Sequence, residues 1–167
     1  SSSDYETIIL EPTGKNTAPA LALAARYQEK LGEELPLLAL PADHNIQDPQ
    51  AFWHAVKLGL RIVERQKLVT FGVKPVRPET GYGYIKRGEA LSPDVAVLDK
   101  FVEKPNQETA EAYIASGDYV WNSGMFMFTA AQFLASFAEF QPEMAQVCER
   151  AMEQAECDMD FIRPDAE

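Results

Sequence analysis

The sequence predicts an α/β fold with a largely parallel sheet flanked by helices, and three observations predict it. Apolar stretches of strand length alternate with amphipathic stretches of helix length. Pro36-Leu-Leu-Ala-Leu40 is a continuous apolar run bounded by prolines, the pattern of a strand buried on both faces of a parallel sheet. Helix start and stop signals also recur between the apolar runs: Asp48-Pro49, Asn106 with Gly117, Thr129, and Gln141-Pro142.

In chain order, Thr7-Ile-Ile-Leu10 is a short strand and Glu11-Pro-Thr-Gly14 a turn. Asn16 or Thr17 can cap a helix with Pro19 in its first turn, running through alanine-rich sequence to Leu31 and stopping at Gly32. After the 36–40 strand, Asp48 caps a helix with Pro49 at its first position, and Phe52, Ala55, Val56, Leu60 and Val63 keep helical spacing. Strands follow over 67–73, 82–87 and 95–104. Asn106 caps a helix ending at Gly117, and 119–128 is a strand. Thr129 caps a helix carrying Phe133, Leu134 and Phe137, and Pro142 opens another with Met144, Val147, Cys148, Ala151 and Met152 inward. The tail from Cys157 is acidic and reads as loop. Both ends are abrupt, so the chain is expected to be a piece of a longer one.

At 167 residues and 46% apolar, the chain is one domain in size and can bury a core. No run of eighteen apolar residues predicts a membrane-spanning helix, and no basic-then-apolar leader is visible, so a cytoplasmic setting is expected. Cys148 and Cys157 show no metal or redox spacing and read as ordinary thiols. The net charge of -11 argues against nucleic acid as a partner. It also means that any anionic ligand must be held by local cations, with Lys15, Lys86, Arg87, Lys100 and Lys104 or a divalent metal as candidates.

The polar residues inside apolar strands carry the chemistry. Glu103 and Lys104 end Phe101-Val-Glu-Lys-Pro105, and Asn122 and Ser123 interrupt Trp121-Asn-Ser-Gly-Met-Phe126. Carboxylate and amide hold hydroxyls, and an ammonium holds phosphate, so together they suit a sugar phosphate. Strict pleating sends Glu103 and Lys104 to opposite faces, so they meet one ligand only if the strand ends or bends at Pro105; a surface ion pair is the other reading. Trp121 and the 125–128 run read as core. Leu40-Pro-Ala-Asp43-His44 puts a carboxylate past the carboxyl end of a strand, where α/β sheets bind ligands. Such an Asp suits Mg²⁺ shared with substrate phosphates, or it is a turn residue; His44 reads as structural or supporting. In Glu79-Thr-Gly-Tyr-Gly-Tyr84 the glycines let backbone approach a ligand, or make a plain turn. The 11–19 turn at a helix N-terminus favours an anion or acceptor atom, or is a cap without a ligand.

In this order the segments EPTGKNTAPA (11–20), LPADH (40–44), LVTFGVKPVRPETGYGYIKRGE (68–89), FVEKPN (101–106), YVWNSGMFMF (119–128) and DMDFIRPDAE (158–167) resemble the bacterial mannose-1-phosphate guanylyltransferases over essentially the whole chain. The resemblance implies a Rossmann-like, GT-A-like nucleotidyltransferase domain, mixed but mostly parallel and incomplete at both ends over 1–167. It implies transfer from GTP to mannose 1-phosphate, giving GDP-mannose and pyrophosphate. Asp43 would be a Mg²⁺ ligand and Lys104 would hold the sugar phosphate, the two catalytic groups. Gly83 would contact the sugar through its backbone, and Glu103 and Asn122 would hold the sugar itself. Asn16 and Thr17 would lie near guanine or ribose. Lys15 departs from the Arg usual in the family. The family's glycine-rich basic loop is expected before residue 1 and a second metal Asp beyond Glu167, so the segment alone is expected not to turn over. Homo-oligomerisation is left open. The rivals are a sister nucleotidyltransferase with another base or sugar, and a catalytically silent binding subunit of the same fold.

Overall fold

A computed structural model describes residues 7–14, 16–32 and 34–165. The elements in order are β1 (Ile8–Ile9), α1 (Thr17–Leu31), β2 (Leu37–Ala39), α2 (Pro49–Val63), β3 (Val69–Val73), β4 (Tyr84–Ser92), β5 (Val95–Val102), α3 (Gln107–Ser116), β6 (Tyr119–Phe128), α4 (Ala130–Phe140), α5 (Pro142–Glu153), β7 (Glu156–Asp158) and β8 (Phe161–Arg163). They form two compact units. One holds the described residues up to Leu37, Gln66–Leu68 and those from Phe128 on; the other holds Leu38–Arg65 and Val69–Met127.

In the first unit, α1, α4 and α5 close over one apolar core. Ala22 and Ala25 of α1 are fully buried, and Leu134, Phe137, Cys148 and Met152 fill the space they leave. Alanines on the inward stripe of α1 let neighbouring helices approach closely. The Thr129 hydroxyl accepts from Gln132 N–H at 3.3 Å to start α4, and Gly32 ends α1 at φ 70. Asn16 occupies the cap position of α1, but at φ 74 its side chain makes no capping bond. Capping needs the extended backbone seen at Asp48, Asn106 and Thr129, each of which does accept a first-turn N–H.

The tail is a correction to the sequence reading. The 157–163 stretch is not loop but the hairpin β7–β8, and β8 pairs parallel with β1 through Ile8↔Phe161 and Ile9↔Ile162. Neither strand alternates clearly, because each is only three residues long. The partner strand supplies the order that local pattern does not show.

The second unit contains nearly all of a five-stranded sheet, in order β2-β6-β4-β5 with β3 also pairing β6. The mixed α/β class holds, but a mostly parallel sheet does not: β3–β6, β4–β6, β4–β5 and β7–β8 are all antiparallel. Only Pro93 and Asp94 separate β4 from β5, and so short a link forces antiparallel pairing. β2 is half-buried rather than covered on both faces, since it lies at the end of the sheet order. Val69 and Phe71 pack with Met127 against α2, while Tyr84 and Trp121 pack against Ala110 and Tyr113 of α3. The register Tyr84↔Trp121↔Val73 puts these residues on one face of the sheet. Both helices therefore cover that face. The alternate residues, Thr70, Ile85, Val120 and Asn122, project from the other.

Candidate functional site

Three of the singled-out residues form a row across β6 and the adjoining ends of β4 and β5. Tyr84 pairs with Trp121 on one side and Val102 on the other, so one step on Gly83 lies between Asn122 and Glu103. Asn122 N–H donates to the Gly83 carbonyl at 2.8 Å. Gly83 is buried, and the reason for glycine is space rather than conformation. A Cβ there would stand 2.8 Å from Phe101 Cζ and 2.9 Å from Glu103 Oε2, so the carboxylate lies directly over bare backbone. Tyr84 OH accepts from Glu79 N–H at 2.9 Å and pins the glycine loop that leads in.

The chain does bend where the sequence required it. β5 ends at Val102, and Lys104 takes φ 44, left-handed for a residue with a side chain. Pro105 disfavours a helical turn at Lys104, and Lys104 N–H holds the bend by donating to Tyr82 C=O at 3.2 Å. The turn brings Lys104 Nζ to 3.6 Å from Glu103 Oε1, with both side chains mostly exposed. An exposed pair of this kind is weak and open to exchange with a ligand.

Asn122 and Ser123 sit in a strand because the strand bulges there. β6 places three residues between Asn122 and Phe126 where β3 places one, Phe71, between Gly72 and Thr70. The polar side chains replace the ladder bonds that the bulge interrupts. Asn122 Oδ1 accepts from Gly124 N–H and from Thr70 Oγ1, both at 3.2 Å. Ser123 Oγ donates to Phe71 C=O at 2.6 Å and accepts from Met125 N–H at 3.2 Å. Gly124 has φ 71, and its Cβ position lies 3.4 Å from Pro41. The bulge therefore abuts the loop that carries Asp43. Trp121, Met127 and Phe128 are buried, as their run predicts.

Asp43 is exposed after β2 and makes no ion pair or hydrogen bond with the described residues; His44 beside it is exposed too. No group of three or more metal-ligating side chains occurs among the described residues. A lone, accessible carboxylate fits Mg²⁺, which binds through one or two carboxylates and takes its other oxygens from phosphate and water. Of the candidate cations, Lys86 is engaged by Asp99 at 2.9 Å, whose carboxylate raises its pKa, and Arg87 donates to Gly117 C=O at 2.8 Å. Lys15 lies outside the described residues. Asn16 and Thr17 belong to the first unit, at the start of α1, where no side chain caps the helix. On the face that carries Asn122, a cavity of about 550 Å³ opens, lined by Thr70, Gly72, Ile85, Arg87, Leu98 and Val120 among others.

Sequence reasoning passed over Thr70 and Phe101. The signal for Thr70 was present: between Val69 and Phe71, it is the polar member of an alternating strand.

The nucleotidyl transferase family model matches residues 3–166, and the chain belongs to that family. It is 50% identical over 168 residues to the mannose-1-phosphate guanylyltransferase of Escherichia coli K12, covering 97% of this chain and 35% of that protein. It is 49% identical over 158 residues to the xanthan biosynthesis protein XanB of Xanthomonas campestris, covering 95% of this chain and 33% of that protein. The chain thus spans about a third of the length of these relatives. A solved structure described as mannose-6-phosphate isomerase from Helicobacter pylori superimposes with a TM-score of 0.81 at 36% identity, over 95% of this chain and 60% of that one. Among the described residues no helix is long and apolar enough to cross a membrane.

Proposed function

We propose that this chain is the sugar-phosphate-binding part of a cytoplasmic guanylyltransferase that joins GTP and mannose 1-phosphate into GDP-mannose for polysaccharide synthesis. The observation that carries the reading is the row Asn122–Gly83–Glu103 with Lys104 turned beside it, hydroxyl-binding groups next to an exposed ammonium. Identity of about half to guanylyltransferases across nearly the whole chain supports the choice of base and sugar.

In the reaction, a phosphate oxygen of mannose 1-phosphate attacks the α-phosphorus of GTP. The bond from that phosphorus to the bridging oxygen breaks, and pyrophosphate leaves with its electron pair. No protein nucleophile is required, so the chain's work is positioning and charge neutralisation. Glu103 accepts from sugar hydroxyls across the bare backbone of Gly83, and the Asn122 amide donates to a sugar oxygen. Lys104 exchanges its contact with Glu103 for the sugar phosphate. Asn16 and Thr17 are assigned to guanine or ribose by the family resemblance alone. Asp43 would hold Mg²⁺, which when bound supplies positive charge to phosphate oxygens.

The test is pyrophosphate release by the full-length protein with Mg²⁺, crossing GTP, ATP, UTP and dTTP with mannose 1-phosphate and glucose 1-phosphate. Turnover confined to GTP with mannose 1-phosphate is expected. Another productive pair would reassign base or sugar within the family, and silence throughout would make this a binding subunit.

A further inference from the structure

We infer that Thr70 is a positioning residue for sugar recognition: it holds the Asn122 amide in the orientation that presents its NH₂ end to the substrate as a donor. The inference rests on the reading of Asn122 as a sugar contact. Asn122 Oδ1 takes two hydrogen bonds, from Gly124 N–H and from Thr70 Oγ1, each at 3.2 Å. A backbone N–H has no lone pair to offer, so the amide end that faces it must be oxygen. That fixes the flip of the side chain. The NH₂ end has no partner among the described residues and is the end left for a ligand. Asn122 therefore acts as a donor and recognises an acceptor oxygen on the sugar phosphate. It complements Glu103, which when ionised can only accept.

Gly124 alone cannot hold this orientation firmly. Its bond is a single contact inside a bulge, and one bond leaves the amide free to swing about it. The Thr70 hydroxyl supplies the second point, with Met125 C=O at 3.4 Å as an alternative acceptor for its one proton. Thr70 is well placed to be rigid. It is β-branched, so its χ1 is restricted, and its neighbours Val69 and Phe71 anchor the strand in the apolar cluster against α2. The alternation of β3 thus puts a hydroxyl on the open face at the register of the bulge.

The experiment is a double-mutant cycle in the full-length protein, with KM for mannose 1-phosphate, KM for GTP and kcat read separately. Thr70→Val should raise KM for mannose 1-phosphate roughly three- to tenfold, the worth of one neutral hydrogen bond, with KM for GTP unchanged. Thr70→Ser keeps the hydroxyl and should restore KM. In an Asn122→Ala background, Thr70→Val should add nothing further, because its route is gone. Unchanged KM in Thr70→Val, while Asn122→Ala is impaired, would overturn the positioning role alone. So would an equal defect in Thr70→Ser, or additivity in the double variant. If Asn122→Ala itself leaves KM for mannose 1-phosphate unchanged, the reading of Asn122 fails and the role of Thr70 falls with it.

Discussion

At the scale of single residues, two positions separate space from charge. Gly83 is bare because Glu103 and Phe101 occupy the room a methyl group would need. Phe101 Cζ is the end of a half-exposed ring and can yield; Glu103 Oε2 can move only by leaving the row. Gly83→Ala should therefore cost little stability, about 1 kcal/mol or less, because both contacts are the free ends of exposed side chains. It should also raise KM for mannose 1-phosphate more than it lowers kcat, as read from steady-state kinetics and urea melts of the same preparation. Asp43 is the opposite case. Its carboxylate is exposed and makes no bond among the described residues, so the fold does not depend on it. Asp43→Asn should leave the unfolding free energy within about 0.5 kcal/mol of the parent and abolish Mg²⁺-dependent pyrophosphate release. A stable variant with normal turnover would remove Asp43 from the metal site.

At the scale of elements, the bulge in β6 decides how the site is built. It begins just past Asn122, which still pairs with Gly72, turns at Gly124, and sets Gly124 against Pro41 of the Asp43 loop. Gly124→Ala would force a side chain into left-handed backbone, at about 1–2 kcal/mol, and bring a methyl against Pro41. We expect a lower urea midpoint and impaired binding at both the sugar and the metal, whereas a loss confined to stability would mean that the bulge is only structural. The same element shows what was legible beforehand. Capping chemistry located α2, α3 and α4 almost to the residue, because Asp48, Asn106 and Thr129 each accept a first-turn N–H. Asn122, Glu103 and Lys104 stood out as polar breaks in apolar strands. The bulge itself was not legible, since its partner bonds come from Thr70 and Phe71, about fifty residues away in sequence. Nor was the β7–β8 hairpin, whose order depends on pairing with β1. The balance of sheet direction was readable in principle from the absence of a helix between β4 and β5, but strand–helix alternation elsewhere pointed to parallel pairing.

At the scale of the whole molecule, charge and completeness set the terms. A net charge of -11 repels an anion at long range, and Lys86 and Arg87 are already engaged, so besides Lys100, which is exposed and makes no ion pair among the described residues, the candidate left for a phosphate is Lys104. Its contact with Glu103 is exposed and long, which leaves the ammonium ready to change partners. Gly83, Glu103, Lys104 and Asn122, the residues proposed to hold the sugar phosphate, all lie in one compact unit. Turnover asks for more. In-line transfer depends on many groups fixed together around the α-phosphate, and loss of part of such a set costs orders of magnitude in rate. The matched guanylyltransferases are about three times as long as this chain. The isolated 167-residue chain should therefore bind mannose 1-phosphate, seen by calorimetry, and lose that binding in Lys104→Ala. It should release no pyrophosphate under conditions where the full-length protein turns over. Release at the full-length rate would mean that this segment holds the whole catalytic apparatus, and binding unaffected by Lys104→Ala would move the phosphate contact to another cation.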